Sequence, residues 1–223
     1  MIDIEKWMTT LTDKLKDTFG DRLLFVGFQG SYRRGEAHEG SDIDAVIIFD
    51  ALSLDDLKVY RRILRAMPNR DMACGFVGDR QALQGWPRHE LFQFKMDTRS
   101  LHGNLDDLLP EITREDIIDS VRIGASGIYH ACCHSFLHNG AYADSLKAFY
   151  KGAFFILQAV YYLRSGEYVG SKRELMPRLE GAEQDIISLS MDWNAYQEHV
   201  LAGPDTYAEK LITWCAAVMN AEY

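Results

Sequence analysis

A Gly30-Ser31 pair and, ten residues after the serine, the run Ser41-Asp42-Ile43-Asp44 constrain this chain more than any other feature. The pair closes an apolar run, Leu23-Leu24-Phe25-Val26-Gly27-Phe28, and the acids open another, Ala45-Val46-Ile47-Ile48-Phe49. Short runs of this kind read as strands. Strand period two sets Asp42 and Asp44 on one face, about 7 Å apart along the backbone, with Ile43 turned into the core. Two hard carboxylates so placed can bridge Mg²⁺ ions that hold a nucleoside triphosphate. A glycine turn ahead of them makes an anion nest from consecutive N–H groups and lets the backbone approach a phosphate closely. An Asp-x-Asp alone is common; the strands on either side give the pair its meaning.

The stretch Gly30-Ser31-Tyr32-Arg33-Arg34-Gly35…Gly40-Ser41-Asp42-Ile43-Asp44 resembles the signature of the DNA-polymerase-β-type nucleotidyltransferases, and among them the aminoglycoside and lincosamide nucleotidyltransferases. The strong likeness covers residues 23–50, and a looser one extends over the rest. The resemblance implies that Gly30 and Ser31, with Ser41, cradle the nucleotide and that Asp42 and Asp44 hold Mg²⁺. It implies transfer of a nucleoside monophosphate, AMP from ATP, to a hydroxyl of a small molecule such as an aminoglycoside-like antibiotic. Two competing expectations are antitoxin-like AMPylation of a protein partner and a nucleotide-binding module without turnover. Relatives that build the site across a dimer make a homodimer an expectation as well.

In the family a third acid, in an apolar-acid-apolar pattern on the next strand, completes the metal site or deprotonates the acceptor. That strand should be Met72-Ala73-Cys74-Gly75-Phe76-Val77, and the acid's place falls at Cys74 or Gly75, neither of which can do its work. Asp97 is the substitute candidate for a catalytic carboxylate. A strand over Leu91–Met96 would turn Phe92, Phe94 and Met96 to the core and Asp97 to the other face; an Asp capping the Thr98-Arg99 turn explains it equally. Of Arg33 and Arg34, which follow the turn, one reaches phosphate, with Arg34 as candidate, and the other pairs with Glu36 or Glu39.

At 223 residues and 47% hydrophobic content, the chain has material for one large or two small cores. Its net charge of −9 argues against a nucleic-acid footprint. No apolar run reaches the roughly 18–20 residues of a membrane span, and the acidic start, Met1-Ile2-Asp3-Ile4-Glu5-Lys6, is unlike a signal peptide. The four cysteines lack CxxC spacing, and adjacent Cys132-Cys133 pair poorly, so reduced thiols and a cytoplasmic location are expected.

Ile4, Trp7, Met8, Leu11, Leu15 and Phe19 recur at helical spacing over residues 2–19. Asp50–Asp56 gives a turn and the N-terminal acids of a second helix through about Met67, with Leu57, Tyr60, Leu64 and Met67 buried and Lys58, Arg61, Arg62 and Arg65 on a solvated face. With strands at 72–77 and 91–96, residues 1–110 form a small mixed-sheet nucleotidyltransferase domain. From 111 to 223 strand patterning vanishes, and helices are expected near 114–138, 144–165, 171–189, 191–202 and 205–221. The fold class is therefore α+β: a nucleotidyltransferase head followed by an all-α bundle. His130, His134 and His138 recur at i, i+4, i+8 and suit a helix face lining a cleft, a general base, or, least of all, a Zn²⁺ site. Lys147 and Lys151 stand one turn apart, and the resemblance implies that Lys151 reaches the triphosphate.

Overall fold

A computed structural model describes residues 2–140 and 142–223. The chain divides into two compact units, Met1–Glu111 and Ile112–Tyr223.

The first unit opens with α1 (Ile4–Phe19), whose N-terminus is capped by Asp3 accepting the Lys6 N–H at 3.1 Å. Its buried stripe, Trp7, Met8, Leu11, Leu15 and Phe19, lies on a four-stranded sheet ordered β3-β2-β1-β4. The strands are β1 (Leu23–Phe28), β2 (Ile43–Phe49), β3 (Ala73–Asp79) and β4 (Arg99–His102). β1 pairs antiparallel with β2 and β4, while β2 pairs parallel with β3, so the sheet is mixed.

Alternation along β2 decides everything at the site. Ile43, Ala45, Ile47 and Phe49 join the core beneath α1, and Phe19 stacks on Phe49 with ring centroids 4.7 Å apart. Asp44, Val46 and Ile48 therefore belong to the opposite face. A one-residue slip would push Asp44 into that core, which makes the register costly to change. Pairing directions then bring the end of β1 and the starts of β2, β3 and β4 to one edge of the sheet: Phe28 faces both Ala45 and Arg99, and Ile43 faces Ala73.

Between these strands run α2 (Gly30–Arg34), α3 (Leu54–Arg65), α4 (Arg80–Gln84) and α5 (Arg88–Met96). α3 starts at Leu54, where a capping box between Ser53 and Asp56 fixes its first turn. Tyr60 and Met67 are buried as expected, but Leu57 is exposed and Leu64 only half-buried, so the covered stripe is narrower than the sequence suggests.

The strand expected over Leu91–Met96 is not formed: the segment is α5, and the fourth strand lies further on, at Arg99–His102. Phe92, Phe94 and Met96 fit a period of two, but Phe92 and Met96 also fit i, i+4. Pro87 ahead of the first turn, with Trp86 Nε1 donating to Glu90 Oε2 at 2.8 Å, favours the helix. Phe94 of α5 meets Phe76 of β3 edge to face, so this helix covers the Val46/Phe76 side of the sheet.

The second unit is helical throughout the described residues: α6 (Arg114–His138), α7 (Tyr142–Ser165), α8 (Lys172–Leu175), α9 (Gly181–Met191), α10 (Trp193–Ala202) and α11 (Pro204–Met219). A capping box between Thr113 and Asp116 begins α6. The single helix expected over 171–189 is two, because Pro177 sits in a 3-10 turn at Met176–Arg178 that breaks the run. α6, α7 and α11 share a core that includes Val121, Ala125, Leu146, Ala153, Leu211 and Trp214. No helix among the described residues is long and apolar enough to cross a membrane.

Candidate active site

The site is built on the edge where β1 ends and β2 begins. Gln29 leaves β1 with its N–H still donated to the Asp44 carbonyl at 2.9 Å, which ties the turn to the strand that carries the acids. Gly30 then takes φ +73° and opens α2, which Gly35 closes in the left-handed region. A Cβ on Gly30 would fall on Oδ2 of Asp44, so both the backbone angle and the space demand glycine.

Asp42 is exposed and Asp44 half-buried, on either side of the fully buried Ile43. Ser41, itself buried, accepts the His38 N–H on Oγ at 2.9 Å and donates its own N–H to the His38 carbonyl at 3.0 Å. That small turn presents Asp42. Asp44 is the second residue of β2, and Asp42 lies just ahead of the strand. Among the described residues no group of three or more His, Cys, Asp or Glu could itself hold a metal ion. A two-carboxylate set fits Mg²⁺ nonetheless, since that ion commonly uses one or two carboxylates and takes its remaining ligands from substrate phosphates and water.

Asp97 follows α5, whose last turn it closes by donating its N–H to the Gln93 carbonyl at 2.9 Å. Its Oδ2 accepts the Gly30 N–H at 3.2 Å and Arg34 Nη1 at 2.5 Å, and Arg34 Nε reaches Glu36 Oε2 at 3.2 Å. Both partners of the Arg34–Asp97 pair are buried, with side chains 8% exposed. Burial pushes the Asp97 carboxyl up from its ordinary value, against the pull of Arg34 and of the Gly30 N–H. Two more bonds knit the same segments: Gln29 Nε2 donates to Thr98 Oγ1 at 2.6 Å and the Phe94 carbonyl at 3.0 Å, and Arg33 Nη2 to the Met96 carbonyl at 3.1 Å.

Cys74 stands in register with Asp44 on the adjacent parallel strand and is exposed. One of the two positions, Cys74 and Gly75, at which the sequence leaves the third acid vacant is therefore the in-register neighbour of Asp44. Gly30, Ser31, Arg34, Ser41, Asp42, Asp44 and Asp97 all belong to the first unit, with Ser31 inside α2. Lys151 is exposed on α7 of the second unit, and His130, His134 and His138 line an exposed stripe of α6 with ring centroids 6.0 and 4.8 Å apart. Gln29 and Thr98 carry no signal of these bonds in the sequence, because their partners lie up to 69 residues away; the Glu36 pairing expected for one of the two arginines is made by Arg34.

Residues 9–119 match the family described as the nucleotidyltransferase domain. No curated protein matches the chain. Among solved structures, spectinomycin adenyltransferase AAD(9) from Enterococcus faecialis, determined with ATP and spectinomycin, shares the fold. It does so at a TM-score of 0.56 and 13% identity, over 93% of this chain and 98% of that one. The glycine turn, both carboxylates and the residues that brace them fall inside the matched segment, and through it residues 9–119 of the chain belong to the nucleotidyltransferase domain family.

Proposed function

We propose that this nucleotidyltransferase moves AMP from ATP to a hydroxyl group of a small molecule, using Mg²⁺ held by Asp42 and Asp44. The observation that supports the reading is that a Cβ on Gly30 would fall on Oδ2 of Asp44, so the turn we assign to phosphate lies against the carboxylate we assign to the metal. The acceptor oxygen attacks the α-phosphorus of ATP, the bond from that phosphorus to the bridging oxygen breaks, and pyrophosphate leaves with both electrons. The acceptor proton passes to a base. Mg²⁺ bound by the two aspartates would neutralise charge on the triphosphate and the departing pyrophosphate.

Asp42 and Asp44 bind and orient. Ser31, which lies inside α2, offers its N–H and hydroxyl to the triphosphate. For Lys151 the proposal is neutralisation of the triphosphate, a role that a point-charge ammonium can fill. A small cationic acceptor such as an aminoglycoside-like antibiotic suits an acidic chain with net charge −9, and the likeness to a spectinomycin adenyltransferase makes spectinomycin the first compound to try.

A second reading, nucleotide binding without turnover, is favoured by one observation: Cys74, one of the two positions at which the family pattern leads us to expect an acid, is the in-register neighbour of Asp44. Calorimetric titration of ATP with Mg²⁺ and then with EDTA, followed by a pyrophosphate-release screen over spectinomycin and other polyhydroxylated amines, separates the two. Expected are Mg²⁺-dependent binding, its loss in Asp42→Asn and Asp44→Asn with folding retained, and pyrophosphate release with one acceptor class. Binding with no release from any acceptor supports the second reading, and unchanged affinity in both variants overturns the site.

A further inference from the structure

Asp97 is a buried charge that neither the metal pair nor the phosphate turn accounts for, and its environment is unusual. Oδ2 takes two donors, the Gly30 N–H and Arg34 Nη1, while Oδ1 is buried without a hydrogen-bond partner. A carboxylate is costly to desolvate, so such a position is kept only where the geometry it enforces matters. The N–H of Gly30, at the first position of α2, has no partner inside that helix and would otherwise be free for an anion. Here it points inward to Asp97. Arg34 is likewise committed, with Nη1 on Asp97 and Nε on Glu36. Neither group is therefore presented to a phosphate from solvent, whereas Gln29, Gly30, Arg33 and Arg34 all bond to the segment 94–98.

We infer that Asp97 is a positioning residue, and Arg34 its partner. Together they clamp the Gly30 turn to the C-terminal end of α5, and so fix the distance of Ser31 from Asp42 and Asp44. This inference rests on the nucleotide-binding reading of the turn. It assigns Asp97 neither to the metal nor to the acceptor proton, because Oδ2 is already shared by two donors and Oδ1 is buried. It also moves Arg34 from contacting phosphate to holding the backbone that does.

Asp97→Asn keeps the size and one acceptor oxygen but removes the charge that Arg34 needs; Arg34→Met removes the other half. Two readouts test the clamp. In the nucleotide-free protein, amide hydrogen exchange at Gly30 should speed up at least tenfold in either variant, while β1 and β2 keep their protection. Mg-ATP affinity, measured by calorimetry, should weaken about tenfold in each, and the double variant should be no weaker than the worse single one. Asp42→Asn should abolish nucleotide binding yet leave Gly30 exchange unchanged, so failure of the functional reading and failure of the clamp are told apart. If the wild-type chain binds no Mg-nucleotide, the functional reading falls and the exchange experiment still decides the clamp. Unchanged exchange, or wild-type affinity in Asp97→Asn with slowed turnover alone, overturns the inference; the latter outcome makes Asp97 a proton acceptor instead. If Asp97→Asn does not fold, Arg34→Lys, which keeps the charge and loses the fork geometry, carries the same two readouts.

Discussion

The Cα of Gly30 faces Oδ2 of Asp44 across a gap that no Cβ can enter, at a backbone angle of φ +73°. Gly30→Ala therefore suffers twice, from strain in the left-handed region and from displacement of the carboxylate. A stability loss of about 1–3 kcal/mol is expected from such strain, and Asp44 must rotate away from Asp42. The variant should unfold at lower urea yet remain cooperative, and should lose Mg-ATP binding by calorimetry. An alanine variant with native affinity would mean that the turn and the metal pair are not one site.

Asp97 makes stability depend on pH in a direction opposite to most carboxylates. Burial raises its carboxyl above the usual value near 4, and the Arg34 charge and Gly30 N–H only partly oppose this. The folded chain then holds the proton more tightly than the unfolded one, so stability falls as pH rises from the ordinary carboxyl value through the raised one. Asp56 runs the other way: hydrogen bonds led by Arg22 lower its carboxyl, so its contribution is present above the ordinary value and is lost as pH falls. The difference between wild type and Asp97→Asn isolates the first effect, since Arg34 stays charged throughout. Urea unfolding at steps from about pH 4 to 8 should show the asparagine variant gaining on wild type as pH rises, and a flat difference would refute the assignment of a raised carboxyl.

Much of the first unit is legible because its signals are local. The run from Leu23 to Phe28 forms β1 over those same residues, and Asp44 lies in β2 on the face that the strand period sets, with Asp42 just ahead of the strand. Helix α6 spans the expected 114–138, its start written by a capping box between residues three apart. What is not legible is what depends on distant partners. Phe92, Phe94 and Met96 satisfy both periods, and packing of Phe94 on Phe76 lets the helix win. Asp97 stands out in the sequence as an acid at the end of a strand, yet it reaches the site from the end of a helix, through an arginine 63 residues earlier. Nothing near Arg34 in the chain distinguishes an inward guanidinium from one that meets a phosphate.

The four cysteines should sort by burial. Cys132 and Cys215 are almost wholly inaccessible, and burial pushes their thiols up to about 11 and about 12. Thiolate is the reactive form, so both should resist alkylation near pH 8 in the folded chain. Cys74 is exposed on the sheet edge and should react first, with half-buried Cys133 slower. Iodoacetamide labelling followed by peptide mass spectrometry reads the order directly. Mg-ATP should slow labelling of Cys74 and leave Cys133 unaffected; equal rates with and without nucleotide would place the triphosphate away from the Asp44 edge.

The same neighbourhood allows a gain-of-function experiment. Asp44 and Cys74 are in-register partners on parallel strands, a spacing of about 4.8 Å between backbones, with side chains on one face. Cys74→Asp would place a third carboxylate beside the pair. Without metal the added charge repels Asp44 and should lower stability slightly, whereas with Mg²⁺ the three acids form a denser set of hard ligands. If turnover is limited by the missing acid, pyrophosphate release with a given acceptor should rise at least tenfold in Cys74→Asp and stay at the wild-type level in Cys74→Ser. The requirement for Mg²⁺ should also fall to lower concentrations. An aspartate variant that binds more metal but releases no more pyrophosphate would show that the proton of the acceptor leaves by another route, and that the thiol at this edge is not what limits the reaction.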